Sequence, residues 1–188
     1  MRSPDQILQR LQEGNVRFVA DKADGRLQDS HRRHALTGGQ SPYAVILSCA
    51  DSRVVPEFAF DTGVGELFVI RVAGNVANTS TVASIEYAVD QLQAAVVVVM
   101  GHERCGAVTA AVEGVSGSSN LAHLLAHIAP ACEGAAGGSI EVVVKKNTEL
   151  TALELVRRSD ILSAAVHDQT LTIVPAYYEL ASGRVSFG

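Results

Sequence analysis

The sequence predicts an α/β fold: a central, mainly parallel β-sheet of four to five strands flanked by helices, with the last strand antiparallel at the edge and an N-terminal helical arm over residues 1–20. Three observations predict it. Short runs rich in β-branched residues recur at Ala44–Ser48, Leu67–Val72 and Ala95–Met100, with a helical pattern from about Thr79 to Gln93 between the last two. That is the βαβ rhythm of a parallel sheet covered on both faces. Cysteine and histidine side chains fall at the ends of these runs, the edge where open α/β sheets place their sites. Finally, 188 residues with 47% hydrophobic and 19% charged content suit a single domain, 1–188, that buries a core without staples.

The elements follow in order. Ser3 with Gln6 three positions later is a capping-box pattern, Pro4 suits a first turn, and Ile7, Leu8, Leu11, Phe18 and Val19 form an apolar stripe, so a helix is expected over about 4–20. A polar stretch from Asp21 to Gln40 separates it from Ala44–Ser48, which reads as a buried strand. Small Gly/Ser-rich connectors at 114–120 and 134–139 flank an expected helix at about 121–132, and a longer helix is expected around 148–166. Leu171–Leu180 reads as a strand in which Pro175 marks an edge or bulge, and Ser182-Gly183 as a turn into a short closing strand.

Fifteen basic against twenty acidic residues give a net charge of −5, and no Lys/Arg cluster is interleaved with aromatics. Nucleic acid and anionic membranes are therefore poor partners, and a small-molecule substrate is expected. The low charged content also suggests apolar surface buried by self-association. The N-terminus lacks the apolar region of a signal peptide, and no apolar run approaches a membrane span of about 20 residues, so a soluble, cytoplasmic protein is expected. Three cysteines in a reducing compartment suit metal ligation better than a disulfide framework.

The chemistry concentrates in Cys49-Ala50-Asp51-Ser52-Arg53 and Gly101-His102-Glu103-Arg104-Cys105-Gly106. Two thiolates and one imidazole form a zinc ligand set, and three protein ligands leave one tetrahedral position open, as in catalytic sites. If the segment after Cys49 is extended, the cysteine, Asp51 and Arg53 point to one face, where the pair would orient a small ligand. His102-Glu103 is not the start of a His-Glu-x-x-His motif, because the second histidine position is Gly106. His123 and His127 stand at i, i+4 without a carboxylate nearby in sequence and read as surface helix residues, His31 and His34 as solvated loop residues, and Cys132 as a small packed residue.

These motifs, together with Gly-Glu-Leu-Phe-Val-Ile-Arg at 65–71 and Ser-Ile-Glu-Tyr-Ala-Val at 84–89, make the chain resemble the β-class carbonic anhydrases, continuously from about Gly14 to Val112. The resemblance implies one Zn2+ per chain on Cys49, His102 and Cys105, with Asp51 and Arg53 as the catalytic pair and Asp51 itself a ligand only in a closed state. It also implies a homodimer or dimer of dimers with interfacial sites. Gln40, Val54, Phe68, Tyr87 and Gly106 match substrate-pocket positions. Part of the family has a Trp three positions before the first ligand; here that residue is Ile46, and the chain has no Trp. The implied reaction is reversible hydration of carbon dioxide to bicarbonate and a proton. Hydrolysis of carbon disulfide or carbonyl sulfide on the same fold, and a non-catalytic zinc scaffold, are the alternatives.

Overall fold

A computed structural model describes residues 3–188. The elements are α1 (Pro4–Val19), α2 (Ser30–Ala35), β1 (Ala44–Ser48), α3 (Pro56–Ala59), β2 (Leu67–Arg71), a 3-10 turn (Ala73–Asn75), α4 (Thr79–Asp90), β3 (Val96–His102), α5 (Gly106–Val112), α6 (Ser119–Ala126), α7 (Ala129–Gly134), α8 (Ile140–Arg158), α9 (Asp160–His167), β4 (Thr172–Tyr178) and β5 (Val185–Phe187). The sheet order is β2-β1-β3-β4-β5; every pair is parallel except β4–β5. This is the expected mainly parallel sheet with an antiparallel edge.

β1 and β3 are buried along their whole length, which is why they read as unbroken apolar runs rather than as alternating ones. Ile46, Val98 and Met100 face a layer closed by Ile7 and Leu11 of α1 and by Phe60, while Val45, Leu47, Val97 and Val99 face a layer closed by Ile85 of α4, Leu155 of α8 and Leu162 of α9. A third apolar cluster, with Cys49, Cys105, Val108, Ile128 and Val144, sits at the carboxyl edge of the strands. The site is built there.

α1 starts with the expected capping box on Ser3. It is not a free arm, because Ile7, Leu11 and Asn15 share one stripe and all three are buried against the chain's own sheet layer. Asn15 donates to Ala59 O at 2.9 Å and Gly183 O at 2.8 Å and accepts from Val185 N at 2.9 Å, tying the helix to the closing strand. Gly14 permits the approach, since a Cβ there would stand 1.9 Å from Phe60 O.

Other elements depart from the sequence reading. The polar stretch contains α2, capped by Asp29. The helix expected at about 121–132 is two helices, with Pro130 in the first turn of the second. The helix expected around 148–166 begins at Ile140, capped by Ser139, and breaks at Ser159, whose hydroxyl caps α9. Pro175 lies neither on an edge strand nor in a bulge: β4 runs between β3 and β5 in unbroken register. The proline sits just past the end of β5, where its carbonyl accepts from Gly188 N and its missing N–H deprives no ladder partner.

Candidate metal centre

Cys49 follows β1, His102 ends β3, and Cys105 is the N-cap of α5. Because β1 and β3 are neighbours, with Ser48 opposite Met100, the strand ends bring the three residues together. Their ligand atoms lie within 4.8 Å of one another, all buried, with Cys49 Sγ and Cys105 Sγ 3.9 Å apart. His102 Nδ1 lies 2.9 Å from Glu103 O, and because a carbonyl only accepts, the proton is on Nδ1. Nε2 is left with a bare lone pair, buried and without a hydrogen-bond partner among the described residues. An orphaned imidazole nitrogen beside two soft sulfurs fits a zinc ion.

The sulfurs are inequivalent in the protein itself. The Cys49 thiol is pulled down, chiefly by its hydrogen bond with Cys105 and further by the Gly74 N–H, against a burial that would raise it. Cys105 is pushed up by the same contact with Cys49 and by its burial. The sulfur–sulfur hydrogen bond holds one proton between the two residues. A metal binding both sulfurs displaces that proton.

Asp51 and Arg53 do not reach a common face along an extended segment as expected. Asp51 O accepts from Val54 N at 3.0 Å, closing a turn, and Asp51 Oδ1 accepts from Arg53 N at 3.0 Å. The turn folds the guanidinium back onto the carboxylate, with Nε on Oδ1 at 2.9 Å and Nη2 on Oδ2 at 2.7 Å. The guanidinium holds the Asp51 carboxyl well below the usual carboxylate range. Asp51 Oδ2 lies 3.9 Å from His102 Nε2, so the carboxylate borders the ligand set while Arg53 holds both its oxygens.

The carbonic anhydrase family matches residues 44–185 of the chain. The chain belongs to the β-carbonic anhydrases. It is an enzyme, a carbonate-dehydrating lyase by family. It is 38% identical over 181 residues to carbonic anhydrase 2 of Mycobacterium tuberculosis, covering 93% of this chain and 87% of that one. It is 36% identical to the carbonic anhydrase of Mycolicibacterium smegmatis, covering 93% and 88%. Among solved structures, the β-carbonic anhydrase CcaA superposes with a TM-score of 0.77 at 26% identity over 96% of this chain and 94% of that one.

In this β-carbonic anhydrase the remaining pocket candidates scatter. Val54 is fully buried in the layer beneath the site, and Gly106 begins α5 with open space where a Cβ would stand. Phe68 and Tyr87 face each other from β2 and α4, ring centroids 6.4 Å apart, but Phe68 packs with the layer of Val45 and Val97 rather than with the cluster around Cys49, and Tyr87 is 51% exposed. Gln40 is exposed in the loop before β1. The chain thus brings Cys49, His102, Cys105, Asp51 and Arg53 together and leaves these three side chains outside that group.

Two site residues escaped the sequence reading. Arg71 donates from Nε to Cys49 O at 3.1 Å and from Nη2 to Asp51 O at 2.7 Å, gripping the backbone of ligand and dyad together. An arginine closing an apolar strand was the available signal. Gly74 donates its N–H to Cys49 Sγ at 3.4 Å, and nothing in its spacing announces that.

Proposed function

We propose that this enzyme catalyses the zinc-dependent, reversible hydration of carbon dioxide to bicarbonate and a proton, with one zinc per chain on Cys49, His102 and Cys105. The observation that supports it best is the carboxylate fixed by Arg53 and set 3.9 Å from the orphaned His102 nitrogen. Zinc held by this donor set supplies a Lewis acid that makes water nucleophilic near neutral pH. Asp51 stays ionised at working pH, accepts the hydrogen of the attacking water and so turns a lone pair toward the carbon of carbon dioxide. Arg53 fixes the plane of that carboxylate, and Arg71 fixes the backbone that carries it. In this open arrangement both Asp51 oxygens are engaged by Arg53; Asp51 becomes a ligand only if that pair breaks.

Gly106 follows Cys105 with open space where a Cβ would stand, and Val54 lies buried in the layer beneath. Gln40, Phe68 and Tyr87 complete the pocket of a second copy in a homodimer or dimer of dimers, a reading supported by the exposure of Tyr87 and by Phe58 at 59%. Among the described residues no helix is long and apolar enough to cross a membrane. A reducing, cytoplasmic setting keeps the neighbouring thiols of Cys49 and Cys105 available as ligands. Carbon disulfide or carbonyl sulfide would meet the same groups, and no observation favours them. Stopped-flow carbon dioxide hydration by zinc-loaded protein tests the reading. Fully loaded, folded protein without that activity would end it.

A further inference from the structure

Asn147 is 2% exposed, on the face of α8 that also buries Val143, Val144, Thr151 and Leu155. A primary amide in such surroundings is costly unless its hydrogen bonds are made. Its Nδ2 donates to Gly74 O at 2.8 Å, across 73 residues of sequence. Gly74 in turn donates its N–H to Cys49 Sγ. The turn has little room to choose another position: Gly74 has φ +71°, and a Cβ there would meet Ile128 Cδ1 at 2.7 Å. It is pressed between Ile128 and α8.

We propose that Asn147 is a positioning residue of the metal centre, which keeps the Gly74 N–H aimed at the Cys49 thiolate. The inference rests on the reading of Cys49 as a metal ligand. An N–H donated to a thiolate withdraws charge from the sulfur and directs its remaining lone pairs, and partners of this kind tune metal affinity. Cys49 is then held at two points, the sulfur by the turn that Asn147 anchors and the carbonyl by Arg71. Release of the sulfur end leaves a freer, more strongly donating thiolate on a less fixed ligand.

The test compares Asn147→Ala with Asn15→Ala, since Asn15 is also a buried clamp but ties α1 to Ala59, Gly183 and Val185. Two readouts are taken: the thiolate-to-metal charge-transfer absorption of the cobalt-substituted protein, and the rate of zinc release to a chromophoric chelator. Asn147→Ala should shift the band and speed release about 10-fold or more. Asn15→Ala should lose stability with band and release rate unmoved. Asn147→Ser, whose hydroxyl is too short to reach Gly74 O, should behave like Asn147→Ala and serves if the latter does not fold. A folded Asn147 variant with wild-type band and release rate would overturn the proposal, as would an equal shift in Asn15→Ala. Wild-type cobalt protein lacking the thiolate band would overturn the ligand assignment, and this inference with it.

Discussion

Replacing Arg53 by alanine isolates what the dyad contributes. Asp51 accepts three hydrogen bonds within its own turn, from Arg53 N, Nε and Nη2. The substitution removes the two side-chain bonds and spares the backbone bond to Oδ1, so one oxygen stays tethered while the carboxylate plane rotates freely. The loss should be that of an orienting partner rather than of a ligand, roughly 10–100-fold in kcat. Zinc content should be unchanged, because Arg53 touches no ligand side chain, and the melting temperature should move little, because its side chain is 51% exposed. With the guanidinium gone, Asp51 is also free to turn toward the ligand set, which would deepen the loss without altering metal content. Arg53→Lys, which keeps the charge but not the fork, should fall between. The assay is stopped-flow hydration alongside elemental analysis and thermal melting. An unchanged kcat in folded, zinc-loaded Arg53→Ala would show the pair to be a turn-holding contact and refute the role given to Asp51.

Cys49→Ser and His102→Ala should lose zinc and activity together, and full zinc in Cys49→Ser by elemental analysis would remove it from the ligand set. Asp61 is a pH-sensitive tie: against a burial that would raise it, Arg17 and the N–H groups of Asp24 and Gly25 lower its pKa, so its contribution is present above the unfolded carboxyl value and lost as pH falls through the folded one. Asp61→Asn should therefore flatten the acid limb of a urea stability profile and leave kcat alone; an unaltered acid limb would contradict the assignment. Leu11→Ala, at a position with no exposed surface, should cost about 2–5 kcal/mol in urea unfolding, and a change below that range would mean α1 is not part of the core. Sedimentation should give at least a dimer at low micromolar concentration. A fully active monomer would refute the shared pocket.

The strands were legible because buried parallel strands must be apolar on both faces, and Val96–Val99 fits little else. The clustering of Cys49, His102 and Cys105 was legible because soft donors at these spacings fall at a strand end and the start of the next helix. Helix limits were not: Ile140–Val144 has the β-branched content of a strand, and the break at Ser159 depends on one hydroxyl reaching Leu162 N. The turn at Asp51–Val54 could not be told from an extended segment, since both bring the same side chains together. Arg71, Gly74 and Asn147 act through backbone groups of residues distant in sequence, and such contacts leave no pattern in composition or period.

The adjacency of β1 and β3 also orders events in time. Cys49 and His102 meet only when these strands pair in parallel, which requires β2, α4 and their loops to be laid down as a crossover first. Such non-local pairing is the slow part of folding, so a nascent chain has no complete donor set for zinc until most of its topology exists. Zinc, on the proposed reading, would then act on the finished fold by mass action, adding about 2.7 kcal/mol when free metal stands at 100 times its Kd. A cell short of zinc would accumulate chains that reach the right shape but open across this seam more often, exposing β1 and β3 to quality-control proteases.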